Sequence, residues 1–318
     1  LPPAPECAGT RDGTMPGSNH CIHFDLVILG GGCIGSAILH ELGRRGFRDV
    51  ALLDHGRATR SATAHSGGML RVFHESPVHV DLALGHWAAL AHETNANAHV
   101  LTEKVANNGS LYFFHRSRYD HYRASLKKMS DAGYPFEVMT PETGRARFPQ
   151  FRWNTDDQAV FEPEGGYLSP VSFVRDLLLA GSRRGDTIFE NFEVRRIRSH
   201  LNRYHLLGNG PSLTARTLVL AGGARMIPRL NDLGLRLPLK ARKISSYLAR
   251  KTKAGFHTPN FFDRETLEFA RLGQGTHVVL SRPSLARLTD SPWEENEIQL
   301  LEADDCYAPH RQGVAGQV

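Results

Sequence analysis

Cysteine is scarce in this chain. Its 318 residues include four, Cys7, Cys21, Cys33 and Cys306, and none falls in a paired spacing that would suit a zinc site. Such low usage is expected of a reducing compartment, which makes the cytoplasm the expected location. No apolar run approaches the length of a membrane span. The net charge of +5 comes from arginines spread along the chain, with no basic block and no interleaved aromatic platform. A nucleic-acid partner is therefore not expected, and an anionic small ligand suits the balance. The first residues show no charged-then-apolar signal segment. Residues 1–14 are rich in Pro and Gly without periodicity and are expected to be unstructured, with Met15 as a sensible start. No Ser/His/Asp constellation and no catalytic pair of carboxylates stands out. His74, His79 and His86 do not converge on one helix turn, and Cys306 with His310 would lack further ligands, so no metal is expected.

What is present is a hydrophobic fraction of 41% and a charged fraction of 22%, the balance of a globular enzyme with chain enough for two domains. The organising stretch runs from Phe24 to Asp54. A buried strand (Phe24 to Leu29) leads into a glycine turn, a helix from about Ile34 and a second strand from Val50 to Leu53. The glycines stand at G-x-G-x-x-G positions: Gly30 for the tight turn, Gly32 for close approach of a pyrophosphate, Gly35 for helix against sheet. The helix N-terminus then offers unpaired N–H groups and a positive dipole end to phosphates. Asp54 sits where a carboxylate accepts ribose hydroxyls.

Beyond Asp54, HGRATRSATAHSGGMLRVFHE is rich in small residues and aperiodic, so a long functional loop is expected there. Ser76–Pro77 and Ser169–Pro170 read as cap and first-turn pairs of two helices. Between them lie an aromatic strand in LYFFH, a helix over 117–132 and a strand-like run from Phe151 to Glu162. After the second helix come short strands in FEVRRI and YHLLG. TARTLVLAGGA then reads as a buried strand entering a second glycine turn. From Leu237 the texture of the inserted region returns, with strands expected in LPLKARKISSYLAR and THVVLSRP and one more in the tail. The expected fold is α/β: a Rossmann-like dinucleotide domain interrupted by an α+β domain with a mixed or antiparallel sheet. Its expected boundaries are a lead over 1–20, the nucleotide domain over 21–105 and 164–236, the inserted domain over 106–163 and 237–305, and a final segment over 306–318.

At this point LVILGGGCIGSAILHELGRRG, HSGGMLRVFHESPVHVDLALGHW and FEPEGGYLSP with RTLVLAGGARMIPRLNDLGLRLPLKAR resemble the FAD-dependent oxidoreductases of the D-amino-acid oxidase and sarcosine oxidase family. The likeness extends from about Asp25 to the end. It implies that Gly30, Gly32 and Gly35 lie on the FAD pyrophosphate and Asp54, with His55 beside it, at the adenosine ribose. Ser61, His65, Ser66, Gly67, Gly68 and Met69 would run along the ribityl chain and one flavin edge. Val194 would meet the adenine through its backbone, and Ala221, Gly222 and Gly223 would close over the nucleotide. Cys306 falls near the position that carries the flavin covalently in monomeric sarcosine oxidases. The family's further loop, resembling G-x-S-G-H-G, does not follow within these residues. An incomplete chain, a partner polypeptide that completes the flavin site, or loosened flavin binding is therefore expected.

The resemblance implies oxidation of a C–N bond in a small amine or amino acid to an imine, by hydride transfer to flavin, with O2 or another acceptor reoxidising it. A substrate carboxylate would want an arginine. Arg71, Arg242 and Tyr247 are the candidates for positioning it. Lys240 or Lys243 could assist O2 reduction, although an exposed strand charge is their ordinary role. Two alternatives stand beside this reading: a flavin monooxygenase or NAD(P)-linked reductase on a similar scaffold, and a non-catalytic chain that needs a partner. The first would need a second nicotinamide motif, and AGGA lacks its third glycine.

Overall fold

The structure is a computed structural model that describes residues 21–58, 62–95, 105–239, 245–251, 258–273, 277–282, 285–290 and 293–301. The chain opens with β1 (Cys21–Leu29), α1 (Cys33–Arg44) and β2 (Val50–Leu53). All of β2 and the last three residues of β1 are buried, the pattern of strands covered on both faces. The segment expected as one long loop contains a 3₁₀ turn over Ala62–His65 and a two-residue strand, β3 (Met69–Leu70). α2 (Pro77–Asn95) starts where the Ser–Pro pair predicts, its first N–H groups bonding back to the Ser76 carbonyl.

β4 (Ser110–His115), α3 (Tyr119–Asp131), β5 (Glu137–Met139) and α4 (Pro141–Arg147) follow. A reciprocal box between Thr140 and Thr143 caps α4. β6 (Asp157–Glu162) occupies only the second half of the strand-like run from Phe151. β7 (Gly166–Tyr167) then precedes α5 (Pro170–Arg184), where Ser169 Oγ accepts from the Ser172 N–H at 3.3 Å. β8 (Thr187–Phe189), β9 (Val194–His200), β10 (Arg203–Gly208), β11 (Ser212–Leu220) and α6 (Ile227–Asp232) complete the middle of the chain. The last described strands are β12 (Ser246–Lys251), β13 (Asn260–Asp263), β14 (Phe269–Arg271), β15 (His277–Leu280) and β16 (Trp293–Leu301). Among the described residues no helix is long and apolar enough to cross a membrane.

Two compact units result. The described residues within Leu1–Ser61 and Leu177–Ala241 form one, and those within Ala62–Asp176 and Arg242–Asp304 form the other. The first unit holds a six-stranded sheet in the order β8-β2-β1-β11-β10-β9. Its first four strands are parallel, and β10 alone runs antiparallel, between β11 and β9. On one face Ile38, Leu39 and Leu42 of α1 pack on Ile28, Val50 and Leu52.

The second unit holds an eight-stranded sheet in the order β16-β12-β15-β14-β13-β4-β6-β5, mixed because β13 and β4 run parallel. Alternation along β4 separates two cores. Leu111 and Phe113 face one with Phe151, Trp153 and Phe261, whereas Tyr112 and Phe114 face another with Tyr122, Met129 and Phe262. Val80 of α2 is buried in that second core, with Leu84 and Trp87 against it. That packing puts the unit boundary at 61/62, where the sequence reading sets it after 105. Lateral ties are polar: Arg287 donates to Asp157 and Asp263, with Nε at 2.6 Å from Asp263 Oδ2, and its guanidinium lies 4.5 Å from the Phe113 ring centre.

Candidate functional site

In the first unit the glycine turn is built by backbone contact. Gly30 has φ of +113°, a conformation that L side chains rarely adopt, and a Cβ there would lie 2.5 Å from the Gly222 Cα. A Cβ on Gly35 would stand 1.8 Å from the Gly30 carbonyl oxygen, which leaves room for hydrogen alone. The Ala221 N–H donates to the Leu29 carbonyl at 2.8 Å, so the second glycine turn, Ala221 to Gly223, closes directly on the first. α1 begins after Gly32 with no side chain capping it and no acidic residue in its first turn. The N-terminal end of such a helix attracts an anion through its dipole.

Asp54 serves this turn from beneath. It is 3% exposed, and its carboxylate accepts from the Gly31 N–H at 2.7 Å and the Gly56 N–H at 2.9 Å. His55 Nδ1 lies 3.3 Å from the same carboxylate. A carboxylate has about four acceptor positions, so two backbone donors leave capacity for a ribose hydroxyl. The Ala58 N–H is held by Glu190, and the Phe192 N–H donates to the Asp54 carbonyl at 2.7 Å. This pins the segment that enters β9, whose first residue, Val194, pairs with Gly208. Glu190 was invisible in the sequence, since its partner lies far from it along the chain. A turn packed too closely for side chains and the N-terminal end of α1 together suit a dinucleotide pyrophosphate, with Asp54 placed to accept from a ribose hydroxyl.

The second unit holds the remaining described candidates. Gly68 has φ of +65°, and a Cβ there would lie 2.1 Å from the Leu168 carbonyl oxygen. The Leu168 N–H returns a bond to the Gly68 carbonyl at 3.1 Å, and β3 pairs antiparallel with β7. His65 ends the 3₁₀ turn, and Ser66 Oγ accepts from the Gly68 N–H at 3.1 Å. The N–H groups of Val72 and Phe73 are both taken by Glu162, a fully buried carboxylate, with the shortest bond at 2.6 Å. The His65–Met69 segment is thus followed by a clamped backbone, and Glu162 is a second residue that sequence reasoning missed.

Arg71 lies between those anchors, its guanidinium 4.7 Å from the Tyr112 ring centre and 5.2 Å from that of Phe262. Burial lowers its affinity for a proton, which Glu162, Tyr112 and Glu75 partly offset. Burial also drives the Tyr112 phenol upward, helped by its 2.7 Å bond to Glu75. His74 is pushed down to about 4 by burial, with Arg71 and His79 adding to it. Arg271 is a further candidate: burial lowers its pKa, it lies 4.9 Å from the Tyr167 ring centre, and it donates to the Gly67 carbonyl at 3.4 Å.

Strand parity sorts these groups. Phe262 pairs with Tyr112 and with Phe269, so these three share one face, and Gly67 approaches Phe269. Arg71 and the His65–Met69 segment lie on that side. Tyr247 pairs with Leu280, which pairs with Ala270, and packs in the opposite core. Tyr247 and Arg71 thus lie on opposite faces of the sheet, a distinction that sequence without register could not supply. Ser61, Arg242, Cys306, Lys240 and Lys243 lie outside the described residues. Among those described, no group of three or more His, Cys, Asp or Glu side chains could hold a metal ion.

Comparison with known proteins fits this geometry. Residues 25–304 match the family model described as FAD dependent oxidoreductase, DAO. Human mitochondrial sarcosine dehydrogenase is 24% identical over 258 residues, 78% of this chain and 28% of that protein. Monomeric sarcosine oxidase from Streptomyces avermitilis is 24% identical over 241 residues, 74% of this chain and 61% of its own length. The chain thus spans less than two thirds of these relatives. In three dimensions, glycine oxidase from Geobacillus kaustophilus superposes with a TM-score of 0.67 at 24% identity, covering 81% of this chain and 70% of that one. That likeness establishes the fold: a Rossmann-like α/β nucleotide unit interrupted by a mixed-sheet unit.

Proposed function

Because the chain belongs to the DAO family of FAD dependent oxidoreductases, we propose that it oxidises the C–N bond of a small amine or amino acid to an imine. The observation that carries this reading is the glycine cradle, in which a Gly35 Cβ would strike the Gly30 carbonyl oxygen and Asp54 holds the Gly31 N–H. Gly30, Gly32 and Gly35 would hold the FAD pyrophosphate, Asp54 the ribose, and Ala221 to Gly223 would close over the nucleotide. Bound FAD supplies the hydride acceptor for the reaction. The chain's own residues bind and orient the substrate. Arg71, with Arg271 on the same sheet face, takes an anionic substrate group, because a guanidinium offers a carboxylate two parallel donors. O2 or another acceptor and a cytoplasmic setting, which suits the low cysteine usage, belong to the same proposal.

The test is a visible absorption spectrum of the purified chain with added FAD, repeated on the supernatant after acid precipitation. Flavin bands that move to the supernatant support non-covalent FAD, and bands kept in the pellet point to a covalent link such as Cys306. A colourless protein overturns the reading for this chain alone. Asp54→Ala should weaken FAD binding by about tenfold or more, the cost of stranding two N–H donors at the turn.

A further inference from the structure

Away from the glycine turn, the β9–β10 hairpin concentrates cations on one face of the first unit's sheet. A two-residue turn, Leu201 and Asn202, joins the strands with φ of +46° and +57°. Such a turn fixes the register of its strands, and here His200 faces Arg203 while Arg198 faces His205. His205 pairs in turn with Thr214 of β11, and Thr214 with His23 of β1. Residues paired across strands share a sheet face, so these side chains stand together. The alternate residues Phe24, Ile197, Leu206 and Leu213 enter the core on the other face.

The backbone positions of Arg198, His200, Arg203 and His205 mark out a patch of about 5 by 7 Å, one strand spacing by one two-residue repeat. The two arginines stand on one diagonal, about 7–8 Å apart at the backbone, and on the other the two histidine rings lie 6.4 Å apart. Three other arginines of this unit, Arg195, Arg216 and Arg229, pair with Glu193, Asp25 and Asp232. Among the described residues, Arg198 and Arg203 make no such pair. The influences on His205 agree: burial lowers its pKa most, and His200, Arg203, His23 and Arg198 add to it, with no acid among them. Thr214 is buried in the same row, its Oγ1 2.6 Å from His23 Nδ1, which holds that ring at the edge of the patch.

Like charges facing each other across strands destabilise a sheet, and a multiply charged anion would neutralise them. A carboxylate brings one charge. A chain of phosphates brings several within the span of the patch and offers each guanidinium two acceptor oxygens. We propose that this face binds a chain of phosphates, clamped by Arg198 and Arg203 with His200 and His205 between them. The site is separate from the glycine turn, because His23 and Gly30 lie at opposite ends of β1, about 20 Å apart along the strand.

The experiment is isothermal titration of the full chain with tripolyphosphate, ATP, orthophosphate and hexaglutamate at one ionic strength. Tripolyphosphate should bind at least about tenfold more tightly than orthophosphate or hexaglutamate. ATP that binds as tightly makes a nucleotide the source of the phosphates, and weaker ATP makes it free polyphosphate; either upholds the site. Arg198→Gln and Arg203→Gln should each lose about tenfold of the tripolyphosphate affinity, the loss of a charge-assisted contact. Arg198 is exposed, so its variant leaves the core intact. Arg195→Gln removes the same charge from an arginine already paired with Glu193 and should change the affinity less than about twofold. Preference for hexaglutamate, equal binding of orthophosphate, an unaffected Arg198→Gln protein, or an equal loss in Arg195→Gln overturns the proposal. A chain that takes up FAD but not tripolyphosphate refutes this site alone. One that binds tripolyphosphate through Arg198 but never FAD upholds it without the flavin reading.

Discussion

In the first unit the tightest junction is backbone against backbone, with Gly35 seated on the Gly30 carbonyl and Gly222 against Gly30. In the second it is a buried ion cluster, Arg287 between Asp157 and Asp263, and separately a buried amide, Asn260, whose side chain ties the Leu272 N–H to the Gly166 carbonyl. Few polar groups are buried in the first unit, Asp54 prominent among them, while the second buries Glu162, Asn260, Asp263, Glu268 and Arg287. The contrast follows from architecture. A parallel sheet under helices is held by small residues and apolar strands, and a mixed sheet assembled from distant segments needs groups with directional bonds to set which strands meet. A buried ion pair contributes little net stability over an apolar substitute, yet breaking it exposes a charge with no partner.

Arg287→Met should therefore have the largest effect, about 3–5 kcal/mol of stability lost as two buried carboxylates are left without their cation. Denaturant titration measures it, and hydrogen exchange should show β4, β6 and β13 losing protection while β1 and β11 keep theirs. Equal loss in both sheets would break the comparison. Gly35→Val is the matching test in the first unit. It should cost about 2–3 kcal/mol by overpacking against a carbonyl that cannot move far, and abolish FAD uptake. A third test is in pH. His74 titrates near 6.5 when unfolded and at about 4 when folded. Between those values the unfolded chain binds more protons, so stability should fall as pH drops from 6.5 towards 4. Replacing it, as in His74→Asn, should flatten that limb of the stability–pH curve. An unchanged slope would mean that His74 is solvated.

Much of the first unit was legible in the residues because its determinants are consecutive. The run from Phe24 to Asp54 carries strand, turn, helix, strand and acid in order, and each element forms where that run predicts. The second unit resisted reading for the same reason in reverse. β13 is NFFD, too short to announce a strand, and it exists through its pairing with β4. Glu162 and Arg287 look like ordinary surface charges until the fold buries them. Within the candidate site, Arg71 could be named from its chemistry. Its aromatic bed, and the side of the sheet on which Tyr247 falls, depend on strand register.

The parallel seams have a consequence for synthesis. Ser110 pairs with Asn260, and Cys21 with Ser212, so the middle of each sheet joins an early segment to a much later one. A chain growing from its N-terminus exposes an open edge of β1 until β11 emerges, and of β4 until β13 does. Neither sheet can close in the order in which it is made, because β1 and β4 each wait at one edge for a strand synthesised much later. This high contact order predicts slow maturation and a need for chaperone shielding during it.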